Sequence, residues 1–190
     1  MRIIAGEARG RKLITPDGVE TRPTADRVRE SLFNILGRRV PGARVLDLFA
    51  GSGALALEAI SRGAEFATLC DVSREAAKVI ERNIALMRVE DKTLFIRADW
   101  RDALSRLRGR SFSLVFLDPP YRMLDVYASA ALSLKAGGLL EEDAVLVMEH
   151  AVASPLALPE GFEIFDERRY GDTSVALIRE QYDRSLPGQL

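Results

Sequence analysis

The chain is poor in the residues that staple or metallate a protein. Its 190 residues include one cysteine, Cys70, and one histidine, His150. A lone cysteine excludes an internal disulfide and a cysteine zinc cluster, and so few thiols and imidazoles leave transition-metal chemistry without ligands; no metal is expected. Cys70 lies in the apolar segment 66–70 and reads as a buried thiol, while His150 closes another apolar run and reads as a strand-end residue rather than a catalyst. Apolar runs of bilayer length are missing. The start, Met1-Arg2-Ile3-Ile4-Ala5-Gly6, lacks the apolar core of a secretory signal. A cytoplasmic protein without membrane contact is the expectation. Repeats and low-complexity tracts are absent as well.

What remains is an enzyme-sized globular composition: 47% of residues are apolar and 29% charged, enough for one domain with a real core. The net charge of −1 hides an asymmetry. Residues 1–44 hold ten Lys and Arg against five Asp and Glu, and the remainder holds 17 against 23. A basic first part on an acidic body suggests that the first part meets a polyanion.

Three regions follow from the pattern: 1–40, an arm and helix; 41–182, the main body; 183–190, a tail. The arm has two short extended pieces, Arg2-Ile3-Ile4 and Arg9-Gly10-Arg11-Lys12-Leu13-Ile14, which suggest a hairpin. Thr24 is the simplest cap for a helix whose face is Val28, Leu32, Ile35 and Leu36, with Arg27 and Arg29 pointing elsewhere. Strands at 43–48, 66–71, 93–97, 112–117 and 144–150 then alternate with helices at 52–62, 73–88, 100–108 and 123–135. That order argues for a parallel sheet covered on both faces. Two further strands, near 162–165 and 173–178, have no helix between them and should be antiparallel. The fold class is therefore α/β: a Rossmann-like, mostly parallel seven-stranded sheet with a terminal antiparallel pair and a small N-terminal hairpin and helix.

Two motifs carry the chemistry. Val45-Leu46-Asp47-Leu48-Phe49-Ala50-Gly51-Ser52-Gly53 is a strand and a glycine turn opening a helix. It lacks the third glycine of the dinucleotide fingerprint and the Lys-Ser/Thr pair of a phosphate loop. The carboxylate Asp47 before the turn suits a cationic ligand better than a pyrophosphate. The second motif, Asp118-Pro119-Pro120-Tyr121, follows the apolar strand 112–117. A carboxylate, rigid carbonyls and an aromatic ring at a strand end can grip a planar group that bears an amine. Asp71 and Asp99 end two further strands; each alone would first be read as a helix cap, but with Asp47 and Asp118 they put four carboxylates on one edge of the sheet.

On these motifs the chain resembles the class I S-adenosylmethionine-dependent methyltransferases, and the Asp-Pro-Pro-Tyr segment resembles their amino-methylating branch. Arg2-Ile3-Ile4-Ala5-Gly6, Arg9-Gly10-Arg11-Lys12-Leu13 and the segment from Arg22-Pro23-Thr24 to Phe33-Asn34 narrow the resemblance to the RsmD family of bacterial 16S ribosomal RNA guanine-N2 methyltransferases. The resemblance implies S-adenosyl-L-methionine as cofactor. Gly51, Ser52 and Gly53 would wrap its methionine part, with Asp47 on the ammonium side and Phe49 also at the cofactor. Asp71 would take the ribose hydroxyls, and Asp99 the adenine amine, beside Trp100. Asp118, Pro119 and Tyr121 would hold the target base and carry catalysis. Arg9, Arg11, Lys12, Arg22, Arg27 and Arg29 would lie along RNA. The implied partner is small-subunit ribosomal RNA in a partly or fully assembled 30S particle, and the protein would act as a monomer. A DNA adenine-N6 or cytosine-N4 methyltransferase and a non-enzymatic RNA-binding protein on the same fold stay open as alternatives.

Overall fold

In a computed structural model that describes residues 1–16, 23–119, 125–154 and 156–181, apolar strands buried on both faces build the centre of the molecule. The elements are α1 (Pro23–Leu36), β1 (Arg44–Asp47), α2 (Ala54–Ser61), β2 (Phe66–Asp71), α3 (Arg74–Met87), β3 (Thr93–Arg97), α4 (Trp100–Arg106), β4 (Phe112–Leu117), α5 (Asp125–Ala136), β5 (Leu140–Ala151), β6 (Phe162–Tyr170) and β7 (Thr173–Glu180). They form one seven-stranded sheet in the order β3-β2-β1-β4-β5-β7-β6. The β5–β7 and β7–β6 contacts are antiparallel and the rest parallel.

Strand periodicity divides the core in two. Val45, Leu114, Phe116, Val145, Val147, Val175 and Leu177 pack on one face with residues of α1, α2 and α3. Their alternates Leu46, Val115, Leu117, Leu146, Met148, Ala176 and Ile178 pack on the other face with α4 and α5. Cys70 is buried in the second layer. Burial pushes its thiol up to about 12, with Asp47 and Asp71 adding repulsion, so it is a packing residue.

The N-terminal segment closes on itself through an Arg2–Lys12 antiparallel bridge and is stitched to the body. Glu58 on α2 accepts the Ile4 and Ala5 amides at 2.7 and 3.0 Å. Ser61 accepts the Ala8 amide and donates to the Ala5 carbonyl. Asn83 on α3 accepts the Ile14 amide and donates to the carbonyls of Ile14 and Ser52. Gly6 makes the approach possible: at φ +84°, an added Cβ would lie 1.7 Å from the Ser61 carbonyl oxygen.

Several boundaries differ from expectation. Helix α1 starts at Pro23, so Thr24 lies inside it; proline suits the first helical turn because its missing N–H would be unpaired there anyway. Helix α2 starts at Ala54 because Gly53 caps it in the left-handed region. Strand β5 begins at Leu140, which pairs with Phe112 across a register shift. Strand β6 runs to Tyr170 along the outer margin of the sheet, with a second shift between Ile164 and Asp166. There the guanidinium groups of Arg39 and Arg179 lie over the Phe165 ring, 5.5 and 5.4 Å from its centroid.

Candidate active site

Strand β1 is the point where the winding of the sheet reverses. Through α2 and α3 the chain steps outward to β2 and β3, and then returns to place β4 on the other side of β1. A crevice opens at such a point beyond the carboxyl ends of the strands. Here it is a cavity of about 430 Å³, walled by Leu48, Phe49 and Gly51 after β1, Asp71 and Val72 at β2, Ala98, Asp99 and Trp100 after β3, and Asp118, Pro119 and Glu149 from β4 and β5. Two separate sequence motifs and two further strand ends thus share one space. No lysine or arginine is among its described lining residues.

Asp47 ends β1 just beneath this cavity. It is 1% exposed, and neither carboxylate oxygen has a partner among the described residues. Burial pushes its carboxyl up to about 7; the nearby Phe49 and Ala56 amides pull the other way without closing a hydrogen bond, and Asp71 adds repulsion. An unpartnered buried acid is expensive, and a cationic ligand group would relieve it. Gly51, at φ +56°, donates its N–H to Asp71 Oδ2 at 2.8 Å, and a Cβ there would meet nothing within 4 Å. The other Asp71 oxygen accepts the Ser73 amide, which fixes the carboxylate at the cavity wall. Val72 beside it is 70% exposed and offers an apolar surface for a flat ring.

Asp99 caps α4 by accepting the Arg101 amide, and its side chain still keeps 47% exposure. The Trp100 ring is buried, its Nε1 has no partner among the described residues, and the Arg101 guanidinium lies 4.3 Å from its centroid. Asp118 lies one residue beyond the Leu117–Met148 pair that joins β4 to β5, and so is the neighbour of Glu149. Its carboxyl is held up near 8, by burial first and then by Glu149 and Asp47. Protein surrounds Asp118 on the inner side, yet the residue is open to cavity water. Water softens the desolvation, but both neighbouring acids push in the same direction. Burial raises Glu149 as well.

The chain as a whole is similar to known proteins. Residues 1–179 match the family model described as Conserved hypothetical protein 95. Ribosomal RNA small subunit methyltransferase D of Escherichia coli (strain K12) is 36% identical over 190 residues, spanning 100% of this chain and 92% of that protein. Its Haemophilus influenzae namesake is 34% identical over 182 residues, spanning 94% and 93%. The solved structure of the Escherichia coli protein yhhF, described as a putative methyltransferase, superposes with a TM-score of 0.84 at 32% identity, covering 96% and 99%. The chain belongs to this family. It is a methyltransferase, and both the N-terminal segment and the sheet lie within the match.

Within this methyltransferase the glycine turn offers the cavity less than its sequence suggests. Ser52 is buried, with its hydroxyl 3.6 Å from the Met1 sulfur and its carbonyl taken by Asn83. Gly53 faces the core, where a Cβ would come within 2.9 Å of Leu69 Cδ2. Both shape the turn, and neither is part of the cavity wall; Phe49 and Gly51 are. Tyr121 and Arg22 lie outside the described residues. Glu149 escaped the sequence reading, although it is the one acid interrupting the apolar run 144–148 before His150. His150 itself is structural: buried on β5, it faces Glu167 on β6 at 3.0 Å and two backbone carbonyls.

The basic residues divide. Arg9 and Arg27 line a groove of about 410 Å³ together with Arg2, with Asp26 and Glu30 also in its walls. Lys12 is exposed. Arg11 is exposed too, but donates to the Leu86 carbonyl at 2.7 Å. Arg29 is a correction. It is 5% exposed, paired with Asp26 at 3.0 Å, 4.0 Å from Glu58, and bonded to the Arg2 carbonyl. The buried face of α1 is centred on Leu32, Phe33 and Leu36, and Arg29 stands on it, so it cannot lie along RNA.

Proposed function

We propose that this methyltransferase moves a methyl group from S-adenosylmethionine to the exocyclic N2 amine of a guanine in small-subunit ribosomal RNA. The observation that carries the reading is the single cavity shared by the glycine turn with its acids and by Asp118-Pro119. A donor and an acceptor can meet there. The names of the E. coli and H. influenzae relatives support the RNA class.

The residues present suit the cofactor. Asp47, without a partner, would face its ammonium group; Asp71 would take a ribose diol, Val72 and Trp100 would flank the purine, and Asp99 would accept from its amine. A cavity whose described walls hold acids and no lysine or arginine also favours a cation over a phosphate. When bound, the cofactor supplies a methyl group on an electron-poor sulfur.

A guanine N2 amine is a poor nucleophile because its lone pair is drawn into the ring. Asp118 would accept one N–H and the Pro119 carbonyl the other, turning the lone pair toward the methyl carbon. Holding two reactants in line can contribute on the order of 7–11 kcal/mol. The base must leave its stack to enter the cavity, and Tyr121 would supply a ring for it to stack on. The exposed Arg2, Arg9, Lys12 and Arg27 would hold phosphates without reading sequence. The site of action would be the cytoplasm, on a partly or fully assembled 30S particle.

The test is tritium transfer from labelled S-adenosylmethionine to naked ribosomal RNA, to small subunits from a strain lacking the gene, and to DNA, using wild type and Asp118→Ala. Transfer to the guanine N2 of the RNA by wild type alone, with cofactor binding kept in the variant, is the expected result. Near-normal turnover by Asp118→Ala, or label appearing in DNA instead, overturns the reading.

A further inference from the structure

Several of the described acids have local tasks: Glu58 anchors the N-terminal segment, Asp71 and Asp99 fix backbone amides, and Glu167 holds His150. Glu149 has no such task. Its side chain makes no ion pair or hydrogen bond recorded among the described residues, yet it reaches the wall of the reaction cavity beside Asp118. Its backbone pairs with Val175 in the sheet and its carbonyl accepts the Tyr127 hydroxyl. Below the two acids lies a small apolar recess lined by Leu32, Leu55, Phe116, Val147 and Val175. The acids therefore stand together, with hydrocarbon under them and the cavity in front.

We propose that Glu149 is the positioning partner that makes Asp118 a base: the two carboxylates act as one unit, Asp118 on the substrate amine and Glu149 beside it, and the unit takes the proton that the amine loses on methylation. This rests on the amine-methylating reading above and answers what that reading leaves open, the fate of the proton. As the amine nitrogen bonds to the methyl carbon, the carbon–sulfur bond breaks and sulfur keeps its electron pair. The nitrogen then carries one proton too many. Asp118 takes that proton as an O–H bond forms, nitrogen keeps the N–H electron pair, and the unit later returns the proton to water.

Two neighbouring carboxylates hold a first proton more tightly than either would alone, and they titrate as a pair. The rise of both carboxyls agrees with this. Among the described residues, the other titratable groups at the unit are acids as well. Asp47 faces it from β1, and Asp71 and Asp99 share the cavity from β2 and α4. From α5 comes the Tyr127 hydroxyl, bonded to the Glu149 carbonyl. Opposite Glu149, β7 brings Val175, and α1 brings Leu32, neither of which titrates. With no cation among these described groups to hold both acids ionised, the unit keeps its proton affinity close to working pH, where a general base is most effective.

The experiment measures single-turnover tritium transfer to small subunits from pH 5.5 to 9.5 for wild type, Glu149→Gln and Glu149→Asp, with cofactor affinity measured by calorimetry. In wild type the rate rises as the unit loses its proton. Glu149→Gln removes the repulsion that raises Asp118, so its rising limb moves to lower pH, and its plateau falls at least tenfold because Asp118 has become a weaker base. Cofactor affinity stays within threefold, and Glu149→Asp moves the limb back toward wild type. An unshifted limb in Glu149→Gln overturns the proposal even if the rate drops, since lost packing alone lowers rates without moving a titration. Should Glu149→Gln fail to fold, a carboxyl ¹³C titration of the wild-type protein decides: two coupled carboxyls above the ordinary range support the unit, and independent single-step curves overturn it. If wild type methylates no RNA at all, the substrate reading fails instead, and the unit is judged by the same carboxyl titration.

Discussion

Replacing Glu58 with alanine should loosen the N-terminal segment and cost the whole protein stability. Glu58 has no exposed surface. Its oxygens accept the Ile4 and Ala5 amides, bond Arg62 Nε at 2.7 Å, and lie 4.0 Å from Arg29 Nε. Alanine leaves two amides and a buried guanidinium without this acceptor. Breaking a buried ion pair from one side costs about 3–5 kcal/mol, and unsatisfied amides at about 1–3 kcal/mol each are part of the same loss rather than additional to it. At roughly 2–4 °C per kcal/mol for a chain of this size, about 4 kcal/mol becomes a melting point lower by about 8–16 °C. Glu58→Gln keeps one acceptor oxygen and should lose less. Thermal denaturation followed by circular dichroism measures the shift, and hydrogen exchange at Ile4 and Ala5 locates it. A Glu58→Ala protein that melts within about 2 °C of wild type, with both amides still protected, would refute the claim that this carboxylate anchors the segment.

Asp47 sets a pH dependence. Its folded-state carboxyl is raised from 3.8 to about 7, so the folded protein binds this proton more tightly than the unfolded chain does. The stability it contributes is fully present below about pH 4, falls as pH rises, and is gone above about pH 7. Urea denaturation of the unliganded protein should therefore find Asp47→Asn equal to wild type at pH 4 and more stable at pH 8, with weaker cofactor binding. A variant less stable at pH 8 would contradict the assignment. Exchanging Arg9 and Arg27 for alanine should weaken RNA binding and reduce the slope of log K against log salt by about two; an unchanged slope removes the groove from the RNA surface. Gly6→Ala places a Cβ against the Ser61 carbonyl at a left-handed φ and should destabilise by at least about 2 kcal/mol in urea titrations; a neutral effect would mean that the segment does not pack as described.

The sheet was legible because its strands are short apolar blocks with clear stops. Phe66–Asp71, Thr93–Arg97 and Phe112–Leu117 have the bounds the sequence suggests. Both chemical motifs were legible as well, since each ends a strand and the fold brings such ends together. What escaped depends on contacts between distant segments. Arg29 looks like a surface cation until the N-terminal segment and Glu58 cover that side of α1. Glu58 and Asn83 look like ordinary solvated helix residues, and nothing local marks them as acceptors for amides 50 or more positions away. Glu149 gives only the faint signal of a charge in an apolar run, and its meaning appears once β5 lies against β4. Ser52 and Gly53 differ again: the sequence offers them to a ligand, and the structure packs them behind the turn, against Asn83 and Leu69.

The outer margin at β6 has a consequence for handling the protein. Glu163, Asp166, Glu167, Arg168 and Arg169 crowd one strand, and the register slips in its middle. A second molecule seeking to extend the sheet would meet mismatched amides and ions that must shed water. Concentrated preparations should therefore resist edge-to-edge growth into fibres, and an internal deletion of β6 would expose the largely apolar β7 and forfeit that protection.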